Sequence, residues 1–158
     1  MKFSDFVSSK TICANLNATD KDSAIAELVD SLLAAGEIKP EDREDIMKAI
    51  MKREELGSTG IGRGIAVPHT KHGSVDKLVG TVGVSSDGVE FDSLDGERVQ
   101  LFFLLVSPPD RPGDHLRALE YISRQLRDDS FCRFLKQSKT AGDITLLLEE
   151  ADSNQFGA

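Results

Sequence analysis

The chain has 158 residues, with 27 Asp and Glu against 19 Lys and Arg, a net charge of −8 and 39% hydrophobic residues. That length suits one domain with a real core, and the acidic balance argues against nucleic acid or an anionic membrane as a bulk partner. No apolar run nears the roughly 20 residues that cross a bilayer, the start "MKFSDFVSSKTICANLN" lacks a signal-peptide core, and Cys13 and Cys132 are too few for a disulfide framework. The expectation is a reduced, cytoplasmic protein.

The first predicted helix spans Asp20 to Ala35, with Ile25, Leu28, Val29, Leu32 and Leu33 at helical spacing and Gly36 as its stop. A second opens at Pro40, continues through Glu41 and Asp42, and ends near Glu55. After a Gly-rich turn, "GIAVPH" reads as a short buried strand ended by Pro68. Leu78–Ser86 and Val99–Pro108 are the clearest strands, and the second is apolar enough to be central. "GVEFDSLDG" between them reads as a strand fragment and turn.

A third helix is expected near Asp114, with that residue as N-cap and Leu116, Leu119, Ile122 and Leu126 on the inner face. Shorter helices over Ser130–Gln137 and Thr140–Ala151 close the fold. Helices alternate with strands, so the class is α/β, with a central sheet covered on both faces. No linker or repeat divides the chain: residues 1–151 read as one domain and 152–158 as a disordered tail.

The segment "STGIGRGIAVPHTKHG" (Ser58–Gly73) carries the chemistry. Its glycines do not form a nucleotide loop, because that motif follows a strand and opens a helix, and here a helix precedes and a strand follows. His69-x-x-His72 with His115 is a poor zinc set: Pro68 and Gly73 break any helix, and no Cys or carboxylate lies near. His72 reads as a solvated loop residue.

His69 stands where Pro68 fixes the direction in which the chain leaves the strand. It is either a partly buried structural histidine or a reactive one. The local charge favours the second. Between Glu55 and Asp76 there is no Asp or Glu, where composition predicts roughly three, and the charged residues present are Arg63 and Lys71. An imidazole that takes a phosphoryl group gains nearly two negative charges, which carboxylates would oppose and Arg63, Lys71, Ser58, Thr59 and Thr70 would help. His115, expected in the first turn of a helix, would be kept neutral by the positive helix end. Arg53 is either a snorkelling surface residue or a guanidinium fork for phosphate.

Taken together, "KREELGSTGIGRGIAVPHTK" followed by "DHLRALEYISRQL" resembles the mannitol/fructose-type enzyme IIA domains of the phosphoenolpyruvate-dependent sugar phosphotransferase system, and within them the nitrogen-regulatory branch. The resemblance covers almost the whole chain. It implies a mixed, approximately five-stranded sheet between helices, an α/β/α sandwich. It also implies that His69 accepts a phosphoryl group at Nε2 from a phosphocarrier of the HPr type, that His115 stabilises the phosphorylated state, and that Arg53 lies beside it. Thr59 and Arg63 are accessory candidates; Arg63 stands where sugar-specific relatives often carry an acid and nitrogen-regulatory ones Asn.

Neither a cofactor nor a metal is expected. The downstream partner is either a regulatory target or a IIB domain, and a binding module without phosphorylation is the remaining alternative. His69 needs an acceptor for the hydrogen on its other ring nitrogen, and the sequence does not name one. Ile61, Ile65 and the Pro108–Pro112 region are expected to form the apolar docking patch.

Overall fold

The computed structural model describes residues 1–154. In chain order the elements are β1 (Ile12–Cys13), α1 (Lys21–Ala34), α2 (Arg43–Glu55), β2 (Gly60–Gly62), β3 (Ile65–Ala66), β4 (His69–Lys71), β5 (Val79–Val89), β6 (Val99–Ser107), α3 (Pro112–Gln125), α4 (Asp129–Gln137) and α5 (Ala141–Ser153).

Strand β6 organises the molecule. Leu101, Phe103 and Leu105 enter one core, while Phe102, Leu104 and Val106 enter the other. A strand buried on both faces needs an unbroken apolar run, because polar alternation would put half its side chains into one core. On one edge β6 pairs antiparallel with β5, which pairs parallel with β1. On the other edge it pairs parallel with β3 and then β4, and β3 turns back antiparallel onto β2. The sheet is mixed and 6-stranded. Because β3 and β4 lie in line along β6, it has the five strand positions that were expected.

Helices α1 and α2 cover one face, and α3, α4 and α5 the other. Asp20 caps α1 by accepting the Ser23 N–H at 2.9 Å, and Gly36 ends it at a φ of 76°.

Three expectations change. The strand read as ending at Pro68 resumes as β4, because the Pro68 carbonyl still takes the Leu105 N–H at 3.0 Å. Helix α3 begins at Pro112, whose fixed φ suits a first helical position, and Asp114 pairs with Arg117 instead of capping. Leu119, Ile122 and Leu126 pack on the core as expected, but the face is completed by His115, Ala118 and Tyr121, so Leu116 points outward and is 65% exposed.

The segment 152–158 also begins differently, since α5 runs to Ser153 and Asp152 is buried. The Asp152 carboxylate accepts the N–H of Phe3 at 2.8 Å, that of Ser4 at 3.1 Å and the Tyr121 hydroxyl at 2.5 Å. It thus ties the N-terminal turn, with Phe3 fully buried, to the last helix. Residues 155–158 lie outside the described residues. Asp152→Ala is expected to cost about 2 kcal/mol in urea unfolding, because buried donors lose their acceptor.

Candidate functional site

His69 is held by a break in its own strand. Proline has no N–H for a ladder, so the pairing with β6 skips Val67 and Pro68, apart from the Pro68 carbonyl on Leu105 N–H, before β4 resumes against Leu105–Ser107. In that gap the Val67 carbonyl lies 2.8 Å from His69 Nδ1. A carbonyl only accepts, so Nδ1 carries the hydrogen and Nε2 keeps its lone pair. Among the described residues Nε2 makes no hydrogen bond. Burial holds the His69 pKa below its ordinary value; the Val67 carbonyl opposes this, Arg53 lowers it further and Glu54 raises it.

The second imidazole faces the first. His115 lies in the first turn of α3, is 5% exposed, and its ring centroid is 5.5 Å from that of His69 with the planes tilted by 54°. Its Nδ1 is hydrogen-bonded to the hydroxyl of Ser107, the fully buried last residue of β6. Burial first, then the charges of His69 and Lys71, push its pKa down to about 4. His115 is therefore neutral at pH 7.

Arg53, in the last turn of α2, donates to the Gly57 carbonyl at 2.9 Å. The turn thereby anchors the guanidinium beside His69. Among the described residues neither Arg53 nor Lys71 has a carboxylate partner. Two unpaired cations beside two neutral imidazoles suit an arriving anion, although the whole chain is acidic.

The side chains of both accessory candidates are engaged by other groups. Thr59 is buried, and its hydroxyl donates to the Glu54 carboxylate. Arg63 forms with Gly64 the two-residue loop of the β2–β3 hairpin, at φ values of 58° and 74°. Its guanidinium donates to the Leu126 carbonyl at 2.9 Å and to Asp129 at 3.1 Å, at the junction of α3 and α4. Leu126 follows His115 by eleven residues, about 16 Å along a helix, so Arg63 is far from the paired imidazoles. Ser58 accepts from Gly60 N–H at 3.0 Å and so shapes the turn.

Two expectations about the surroundings need correction. The carboxylate-free stretch of sequence does not make a carboxylate-free site, because Glu54, just before it, acts on His69. Ile65 is fully buried and cannot dock a partner, whereas Ile61 is 47% exposed; Leu56, three residues after Arg53, and Leu116, next to His115, are 83% and 65% exposed. His72 turns its Nδ1 to Ser74 at 2.7 Å, and among the described residues no group of three or more His, Cys, Asp or Glu could hold a metal.

Sequence reasoning missed Ser107, Glu54 and the Val67 carbonyl. Ser107 had a signal, a polar residue closing an apolar strand just before a helix start. The other two had almost none.

The fold and the site together define an open mixed α/β sheet that presents paired histidines between unpaired cations. The model of the phosphoenolpyruvate-dependent sugar phosphotransferase system family EIIA 2 matches residues 5–151, and the chain belongs to that family. It is 33% identical over 148 residues to a nitrogen regulatory protein of Bradyrhizobium diazoefficiens, covering 94% of this chain and 95% of that one. It is 34% identical over 152 residues to the fructose-specific EIIABC component of Bacillus subtilis, covering 96% of this chain but 24% of that protein. The crystal structure of the nitrogen regulatory protein IIA-Ntr from Neisseria meningitidis superposes with a TM-score of 0.81 at 26% identity, over 90% of this chain and 96% of that one. Among the described residues no helix is long and apolar enough to cross a membrane.

Proposed function

We propose that this protein is a phosphohistidine carrier in which His69 Nε2 accepts a phosphoryl group from a phosphorylated HPr-like donor. The observation that carries this is the 2.8 Å bond from His69 Nδ1–H to Val67 O, which leaves Nε2 unprotonated. The Nε2 lone pair forms the new N–P bond as the donor's N–P bond breaks, and that electron pair returns to the donor's imidazole. Nδ1 keeps its hydrogen throughout, so no proton transfer is required. As the His69 ring becomes cationic, its bond to the Val67 carbonyl becomes charge-assisted. The transition state is loose, so positioning and charge stabilisation dominate. Arg53 and Lys71 supply the charge, and His115, with Ser107 donating to its Nδ1, presents Nε2–H to a phosphoryl oxygen.

The carrier is read as regulatory, its phosphorylation deciding which partners it binds in the cytoplasm; similarity to nitrogen regulatory proteins over nearly the whole chain supports this. The 34% identity to a fructose-specific component supports a second reading, in which His69 hands its phosphate to a IIB domain.

The test is incubation with phosphoenolpyruvate, enzyme I and an HPr-type protein, followed by mass spectrometry. An acid-labile, alkali-stable phosphoryl group lost in His69→Ala is expected; no label from any cognate donor overturns the proposal. A chase with IIB domains separates the two readings, since rapid transfer to one of them contradicts a purely regulatory role.

Arg63 gives a sharper check. Arg63→Asn is expected to leave the acceptance rate unchanged, because about 16 Å exceeds the ~8 Å screening length at physiological salt. Stability should fall by about 1 kcal/mol, since Asn suits the positive φ while an exposed ion pair and the hydrogen bond to the Leu126 carbonyl are lost. Single-turnover rates and melting curves measure both.

A further inference from the structure

Next to Arg53 in sequence, α2 carries a carboxylate that the phosphoryl chemistry does not use. Glu54 is 5% exposed, and a buried charge is costly unless partnered. Its Oε1 lies 3.1 Å from Lys21 Nζ and accepts the Thr59 N–H at 3.1 Å. Its Oε2 accepts from the Thr59 hydroxyl. The Thr59 main chain is therefore gripped at both its N–H and its side chain.

The grip continues. The Thr59 carbonyl accepts the Val67 N–H at 3.1 Å, and the Val67 carbonyl accepts the His69 Nδ1–H at 2.8 Å. Val67 sits in the gap between β3 and β4, where no ladder pair with β6 forms. Its N–H is held by Thr59, and its carbonyl, in the next peptide unit, lies between that anchor and the Pro68 carbonyl held by the Leu105 N–H at 3.0 Å. One chain of contacts runs from Lys21 on α1, through Glu54 and Thr59, to the imidazole on β4.

On the reading that His69 accepts a phosphoryl group, we propose that Glu54 is a positioning residue: with Lys21 and Thr59 it fixes the Val67 carbonyl that keeps the hydrogen on His69 Nδ1 and leaves Nε2 free. Glu54 reaches His69 in a second way, because its charge raises the His69 pKa against burial and Arg53. The charged and titratable groups facing the pair of imidazoles are Arg53 and Glu54 from α2, Lys71 from β4 and, for each ring, the other.

The test begins without any donor. Long-range proton–nitrogen correlation spectra of the unphosphorylated full chain at pH 7.5 report the His69 tautomer. The wild type is expected to show the Nδ1–H form, and Glu54→Gln a second population with the hydrogen on Nε2. Phosphoryl acceptance by Glu54→Gln should fall about 10- to 100-fold through misplacement of the nucleophile, with the half-saturating donor concentration unchanged.

Thr59→Val should reproduce both effects and Thr59→Ser should restore wild-type behaviour; this pair decides the matter if Glu54→Gln does not fold. Folded Glu54→Gln or Thr59→Val with the wild-type tautomer overturns the proposal. A wild type that takes no phosphoryl group refutes the functional reading alone, because the tautomer spectra still decide the role of Glu54.

Discussion

Replacing His115 with alanine is expected to slow phosphoryl acceptance by His69 about 100-fold, the effect of removing one preorganised donor from a site of developing charge. The two rings are 5.5 Å apart, so a phosphoryl group on one comes within reach of the other. A pKa near 4 makes His115 a neutral hydrogen-bond donor at pH 7 and not a cation. Ser107 contacts Nδ1, and with its hydroxyl donating there the ring hydrogen stands on Nε2.

Amide substitutions separate the two ends of the ring. The His115→Asn amide reaches only the Nδ1 level, keeping the Ser107 contact and losing the donor. His115→Gln reaches the Nε2 level and should retain clearly more activity than Asn or Ala. Equal single-turnover rates in the wild type and His115→Asn would remove the donor role.

Acid is expected to weaken the fold through this same residue. Unfolded, His115 titrates near 6.5; folded, it titrates at about 4. Between those values the unfolded chain holds a proton that the folded chain refuses, so acidification favours unfolding. The loss begins as pH falls through 6.5, is complete below 4, and amounts to at most about 3 kcal/mol. His69 is shifted in the same direction and adds to the trend. Carboxylates titrate in the same range, so the informative quantity is the difference between wild type and His115→Gln in urea unfolding at pH 7.5 and 4.5. The wild type should lose more stability; parallel losses would contradict the account.

Phosphoryl acceptance should follow the His69 proton. Single-turnover rates should rise with pH as the lowered His69 pKa is passed and then level off.

How much of this the sequence disclosed depends on where each determinant lies. Strand β6 was legible because burial on both faces demands an apolar residue at nearly every position. Helix α1 was legible from its aliphatic spacing and Gly36. On α3 and its C-cap the expected inward residues Ile122, Leu126 and the partly buried Leu119 were legible; Leu116 was misplaced because the first turn points His115 inward, and a count of aliphatic residues passes over a histidine.

At the site, the pairing of His69 with His115 came from the family resemblance and not from spacing; β4 and α3 lie far apart in the chain. The acceptor for His69 was invisible for another reason. It is a main-chain oxygen two residues back, exposed by a strand break, and no side-chain pattern encodes it. Glu54 looked like any acid at a helix end, and its burial follows from Lys21, more than thirty residues earlier. Arg63 drew attention by its charge, yet its position is set by a hairpin turn and the α3–α4 junction.

The most direct test of the central claim is to locate the phosphorus on the ring. Nitrogen-labelled protein, phosphorylated by an HPr-type donor, should show phosphorus–nitrogen coupling at His69 Nε2, with Nδ1–H still bonded to the Val67 carbonyl. Phosphorus on Nδ1, or on any residue other than His69, would contradict the account.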